Sequence, residues 1–319
     1  MSQTNRSLIS KAAVDTATLG TGGKMSPEQA TQFLTFMQDY SVFLKNVGII
    51  NMTKTSRELD SLEVNKRAMR RQVENADNPV TGTVKLARRR LDAIGVIMPY
   101  DVTFQFMKEN IEAQNINTTL ARLFAQQFAN DSIDLAFNGD ESLTSDNFLS
   151  INDGWLKIIK GDPDTHKVDT AGSVDYLNKV FPNLLAGMPG KYYQLYQDEN
   201  KSKIKIFCSP GVNRAYKRQL QDRNTALGDS ILVGGQNVTY DGFEIYPVGF
   251  MPDNILFATP FENLAFGLYG PSLEVYHDVV PRKTRHEYTL LGDFDMEVIN
   301  PDAIVVADDL TPPPSGSGT

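Results

Sequence analysis

The chain is short of the residues on which most enzyme chemistry depends. A single cysteine in 319 residues, Cys208, excludes an intrachain disulfide and fits a reducing compartment. Three histidines leave few candidates for imidazole acid–base work. No apolar run approaches the roughly 18–20 residues that cross a bilayer, so no membrane partner is expected. The opening MSQTNRSLISKAAVDTATLG lacks the apolar centre of a secretory signal, which points to synthesis in the cytoplasm. LGTGGK (19–24) does not have the spacing of a phosphate loop, and neither G-x-G-x-x-G nor G-x-S-x-G occurs. No cofactor is expected.

What is present is an ordinary globular composition with an uneven distribution of charge. Hydrophobic residues make up 41% and charged residues 22%, enough to bury one large core or two moderate ones. The net charge of −8 argues against a dedicated duplex-DNA binder with a basic face. Residues 57–90 nevertheless carry nine Lys or Arg against five acids, and residues 282–319 carry three against seven. Such asymmetry suits copies of one chain that must meet each other. A solvated charged loop is the plainer reading of the same pattern.

Along the chain, residues 1–25 are small and polar and read as a flexible arm. Ser26-Pro27-Glu28-Gln29 reads as a helix start with Ser26 as N-cap, and Gly48 closes the helical segment that follows. GIINMTKT (48–55) and VIMPYDVTF (96–104) read as strands on either side of the charged segment. Within it, Asn78-Pro79 and Thr81-Gly82 mark a turn, so 57–90 is a two-limbed excursion with too few large apolar side chains for a core of its own. Residues 105–138 give the strongest helical pattern. Leu120, Phe124 and Phe128 form one row and Ala121, Ala125 and Ala129 a small-residue row beside it. A helix over 116–137 is ~33 Å long, and Asn138-Gly139 is expected to stop it by tolerating positive φ. Residues 173–189 read as a helix bent at its internal proline, 203–209 as a strand and 210–224 as a helix. Glycine-rich strand sequence covers 227–250. NILFATP, NLAFGLYG and LEVYHDVV read as three short strands, and 288–309 as two more. TPPPSGSGT reads as a disordered tail. Helices and strands in this irregular order indicate an α+β fold.

The most catalytic-looking cluster is GDPDTH, where Asp162, Asp164 and His166 offer ligands for a metal-dependent hydrolase. A solvent-exposed turn is the plainer reading of this Gly/Pro loop. His277-Asp278 and His286-Glu287 lie in strand-like sequence and form no metal or triad signature. Cys208, before Ser209-Pro210-Gly211, ends an apolar strand and is expected to be buried and inert. Trp155 in INDGWLKII is expected to fill a core seam, with its N–H satisfied by a carbonyl. These residues give no catalytic or metal centre, and the chain reads as a non-enzyme.

The order of the features resembles the major capsid proteins of tailed bacteriophages, with the Hong Kong 97 fold. FMKENIEAQNINTTLARLFAQQFANDSIDLAFNGD resembles that family's spine helix and its closing loop. DGWLKIIK resembles the segment returning to the peripheral domain, and NLAFGLYGPSLEVYHD and NPDAIVVADD its late strands. The resemblance implies an N-terminal arm at 1–47 and an E-loop region at 48–95. It implies a peripheral domain with the spine helix at 96–171 plus 266–310, an axial domain at 172–265 and a disordered tail at 311–319.

The function implied is structural: self-assembly through hexamers and pentamers into an icosahedral virion shell around phage double-stranded DNA, which is held by proximity alone. Arg67, Arg70, Arg71, Arg88, Arg89 and Arg90 are the implied inter-subunit contacts. The N-terminal segment is shorter than in self-scaffolding members, so a separate scaffolding protein is implied, with a portal and a decoration protein as further partners. An encapsulin-like nanocompartment shell protein is the alternative on the same fold.

Overall fold

The structure is a computed structural model that describes residues 23–24, 27–64, 69, 71, 84–109, 116–170, 172–198, 201–222 and 238–313. In chain order its elements begin with β1 (Gly23–Lys24), α1 (Pro27–Tyr40), α2 (Val42–Val47), β2 (Ile49–Met52), β3 (Ser56–Val64), β4 (Val84–Asp92) and β5 (Ile94–Thr103). There follow α3 (Phe104–Glu109), α4 (Ile116–Asn138), α5 (Trp155–Gly161), β6 (His166–Lys167), α6 (Phe181–Ala186), α7 (Gly190–Leu195), β7 (Gln197–Asp198) and β8 (Lys201–Ser202). The chain ends with β9 (Ile204–Cys208), α8 (Pro210–Gln221), β10 (Thr239–Tyr240), β11 (Phe243–Pro247), β12 (Leu256–Pro260), β13 (Leu264–Val280), β14 (Arg285–Val298) and β15 (Val305–Ala307). The architecture is α+β.

One sheet runs β1-β13-β14-β5, with β2 also pairing parallel to β13. Here the sequence expectation needs correction, because NLAFGLYG and LEVYHDVV form one strand, β13, of 17 residues. Its register slips between Tyr269 and Glu274, around Pro271, which cannot donate to the ladder. β5 pairs with β14 over its full length, and its side chains alternate between the helix-facing side and solvent. It tolerates Pro99 because it is the edge strand of this ladder.

The second sheet runs β10-β11-β9-β12-β15-β6. β15 and β6 were expected with the peripheral ranges 266–310 and 96–171. They pair in the sheet built around β9 and β12.

α4 lies on the inner face of the first sheet. At 23 residues it is ~34 Å long. Phe128 meets Phe33 of α1 at 5.9 Å and Phe294 of β14 at 5.8 Å, while Phe124 stacks on Tyr100 at 4.3 Å. Ala125 and Ala129 are fully buried beside them, whereas the side chain of Ala121 lies outside the described residues. A separate small core of Val102, Leu120, Phe124 and Tyr288 holds the first half of this helix.

The helix stop works differently from the expectation. Gly139 is not among the residues with positive φ, which in the described chain are Gly48, Gly172, Gly242, Asp241 and Thr284. It is glycine because a Cβ there would sit 2.3 Å from the Asn152 carbonyl oxygen and 2.6 Å from that of Leu135. Gly154 faces it under the same constraint, and its N–H donates to the Gly139 carbonyl at 2.9 Å. Two glycines thus let the returning chain touch the helix end backbone to backbone. Asn138 closes the end by donating to Asp134 at 2.7 Å and to the Phe250 carbonyl at 2.8 Å. Lys157 then bridges Asp140 and Asp153, each at 2.7 Å, and the Asp140 carboxyl is lowered to about 2, chiefly by its hydrogen bond from Lys157.

Trp155 is fully buried in this fold-back. Its ring packs on Phe137 at 5.3 Å, and its N–H donates to the Ala265 and Glu297 carbonyls at 3.3 and 3.2 Å. The 173–189 segment bends as its proline requires: a wide turn over Tyr176–Val180 precedes α6, which has Pro182 in its first turn. At the C-terminus, Leu310 is buried and Thr311 donates to the Gly172 carbonyl at 2.7 Å, so the packed chain reaches into the expected tail. Ser26, the expected N-cap, and residues 314–319 lie outside the described residues.

Candidate assembly surface

β3 and β4 form an antiparallel hairpin from Ser56↔Asp92 out to Val64↔Val84. Strand alternation sorts its charges onto two faces. On the outer face Glu58 lies opposite Arg90 and Asp60 opposite Arg88. Arg88 reaches Asp60 at 3.2 Å and Glu58 at 3.7 Å, and Arg90 bonds Asp92 at 2.7 Å and Ser56 at 2.8 Å. These pairs are exposed and each contributes only ~0–1 kcal/mol. They do balance the limb, so Arg88 and Arg90 have partners within the chain.

The other face roots the hairpin. Arg89 turns inward and pairs with Asp162, which follows the last turn of α5; both side chains are largely removed from solvent. Leu91 is fully buried against Gly267 of β13, where an added Cβ would lie 2.8 Å from its methyl group. The Asp92 N–H donates to Asp295 of β14 at 2.6 Å. Asp295 also accepts from the Asn152 side chain at 2.7 Å and from the Met296 N–H at 2.7 Å. Burial pushes the Asp295 carboxyl up, and these hydrogen bonds only partly oppose it. The root is therefore well packed, while Arg71, beyond the limbs, is exposed. Arg67 and Arg70 lie outside the described residues.

The side of the first sheet away from α4 is its charged face. Register puts Asp101, Glu287 and Asp278 in one row across β5, β14 and β13. Arg285 meets Asp101 at 2.7 Å and Glu287 at 2.6 Å, and Lys283 meets Glu287 at 3.2 Å. With Glu274 and Asp293 on the same side by alternation, acids outnumber bases there.

The residues with catalytic appearance are dispersed. Asp162 faces Arg89, Asp164 donates its backbone N–H to Asp162 at 2.9 Å, and His166 turns to Asp302 at 2.8 Å. Among the described residues no group of three or more His, Cys, Asp or Glu is arranged to hold a metal ion. Cys208 is buried, and burial pushes its thiol up to about 12. Sequence reasoning missed one pairing: His277 and His286 stack across β13 and β14 with ring nitrogens 2.8 Å apart, and burial lowers His286. It also missed Asp295, whose spacing from Asp293 and Glu297 marks one strand face without revealing that the hairpin root covers it.

A sheet backed by a long helix, a second sheet beyond it and a hairpin rooted on the first give the chain a Hong Kong 97-like fold. No protein-family model matches the chain. It is 29% identical over 238 residues to a Bacillus subtilis (strain 168) protein described as a prophage capsid protein, YqbE, covering 72% of this chain and 71% of that one. Among solved structures it is similar to a chain of the satellite phage P4 procapsid, with a TM-score of 0.62 and 13% identity over 88% of this chain and 99% of that one. A capsid chain of the native GTA particle matches with a TM-score of 0.60 and 16% identity, over 98% of this chain and 100% of that one. A chain from Mycobacterium phage Adephagia matches with a TM-score of 0.55 and 13% identity, over 98% and 100%.

Proposed function

We propose that this chain is a major capsid protein that tiles the icosahedral shell of a tailed phage, as hexamers and pentamers around double-stranded DNA. The observation that carries the reading is the rooted hairpin. Its limbs balance their own charge and its base is buried. In sequence, the stretch between its limbs carries Lys66, Arg67, Arg70 and Arg71 with little apolar content. Such a segment finds its burial on another copy, and the acidic row Asp101–Glu287–Asp278 offers the opposite charge.

Arg67, Arg70 and Arg71 are then the inter-subunit contacts. Arg88 and Arg90 serve the limb, and Arg89 serves the root. The domain plan keeps 1–47 as the arm and 48–95 as the E-loop region, with a peripheral part on the first sheet and an axial part on the second. Location in the virion, a separate scaffolding protein, a portal and a decoration protein complete the proposal. The net charge of −8 disfavours adhesion of packaged DNA to the shell.

The test is sedimentation and negative-stain microscopy of the purified chain, alone and co-expressed with its gene neighbours. Closed particles are expected, and a stable monomer under every condition would overturn the reading.

A further inference from the structure

Between α4 and β5 lies a partly open cavity of about 100 Å³ walled by Val96, Ile97, Phe128 and Phe148. Ser132 and Asp131 also line it. Ser132 is 1% exposed, and its hydroxyl has no hydrogen-bond partner among the described residues. A buried hydroxyl without a partner is costly and calls for an explanation. Asp131 accepts from Gln127 at 2.7 Å, yet burial pushes its carboxyl up. The site therefore offers apolar walls, one spare donor and the carboxyl of Asp131. Its volume is below the ~150 Å³ that takes a benzene ring, which favours an unbranched chain over an aromatic one.

One side chain of this molecule has the matching chemistry. Met69 is 92% exposed, more than any other large apolar residue described, and it stands in the sequence K-R-A-M-R-R (66–71). Methionine is unbranched and adapts to irregular gaps, and its thioether accepts a hydrogen bond weakly. Methionine and arginine are both enriched at interfaces. Because Met69 is exposed in its own chain, it does not fill its own copy's cavity.

We propose that the cavity between α4 and β5 is a socket for Met69 of a second copy of this chain. Ser132 donates to the thioether in that socket. This rests on the shell reading and adds to it a specific anchor on the α4 side of the first sheet.

The test uses full-length Met69→Cys and Ser132→Cys chains assembled together and then oxidised. Buried Cys208 gives no background. A covalent dimer on a non-reducing gel is expected from mixed particles and from neither variant alone. Met69→Glu should raise the concentration needed for assembly by roughly tenfold, equivalent to ~1.4 kcal/mol, while Met69→Leu stays close to wild type. Closed mixed particles without the dimer, or normal assembly of Met69→Glu, overturn the socket and leave the shell reading standing. Failure of the wild type to form any particle overturns both.

Discussion

Arg89 and Asp162 lie 73 residues apart in sequence and meet where the hairpin joins the body of the subunit. The side chains retain 27% and 7% of their exposure, so neither charge is well placed to find water in place of the other. Arg89→Ala should destabilise the isolated subunit by about 1–3 kcal/mol by leaving Asp162 unpaired. Arg88→Ala, on the exposed face, should stay within about 0.5 kcal/mol of wild type. Denaturant unfolding of both variants checks the contrast. Equal effects would mean that the root is not anchored there.

Asp295 joins the hairpin root, the fold-back loop and β14 through one buried carboxylate. Because burial raises its folded-state pKa, its contribution is full below the unfolded value near ~3.9 and is lost as pH rises through the folded value. Asp295→Asn cannot ionise. The wild type should therefore lose stability relative to this variant as pH rises through that window. Asp295→Ala removes the acceptor and should cost about 1–3 kcal/mol. Denaturation across pH 3–8 tests both, and a wild type–Asn difference that does not move with pH would refute the burial argument.

Gly139 and Gly154 should resist substitution for steric reasons. Alanine at either places a Cβ within 2.8 Å of backbone oxygen, which cannot rotate away. The expected loss is about 1–3 kcal/mol. Gly161→Ala is the control, since nothing lies within 4 Å of its added Cβ. Melting temperatures should fall for the first two and hold for the third.

Phe124 is the centre of the small second core, stacked on Tyr100 at 4.3 Å and tilted against Tyr288 at 5.7 Å. Phe124→Ala should cost about 3–5 kcal/mol. Hydrogen exchange should show opening confined to the first half of α4 and the adjoining ends of β5 and β14. Uniform opening of the whole chain would mean that the second core is not a separate unit.

The elements were largely legible in sequence because they follow local rules. The Leu120–Phe124–Phe128 row sets the long helix, and alternation in IGVIMPYDVT sets the edge strand. Trp155 was legible as a core residue because an indole with one donor needs a buried acceptor. Long-range contacts were not legible. Arg88, Arg89 and Arg90 look alike in sequence, yet one strand position turns the middle one inward. Gly139 reads as a left-handed cap, and only the neighbouring backbone of Asn152 and Gly154 shows the true constraint. The β13 strand reads as two because Pro271 interrupts a pairing that its neighbour continues.

The central claim is that the hairpin leaves its own subunit to build a closed shell. A cryo-electron microscopy reconstruction of particles made by this chain tests it most directly. The account predicts hexamers and pentamers in which residues 65–83 of one copy lie across the first sheet of the next. A hairpin folded back on its own subunit, in closed particles or in a lasting monomer, would contradict it.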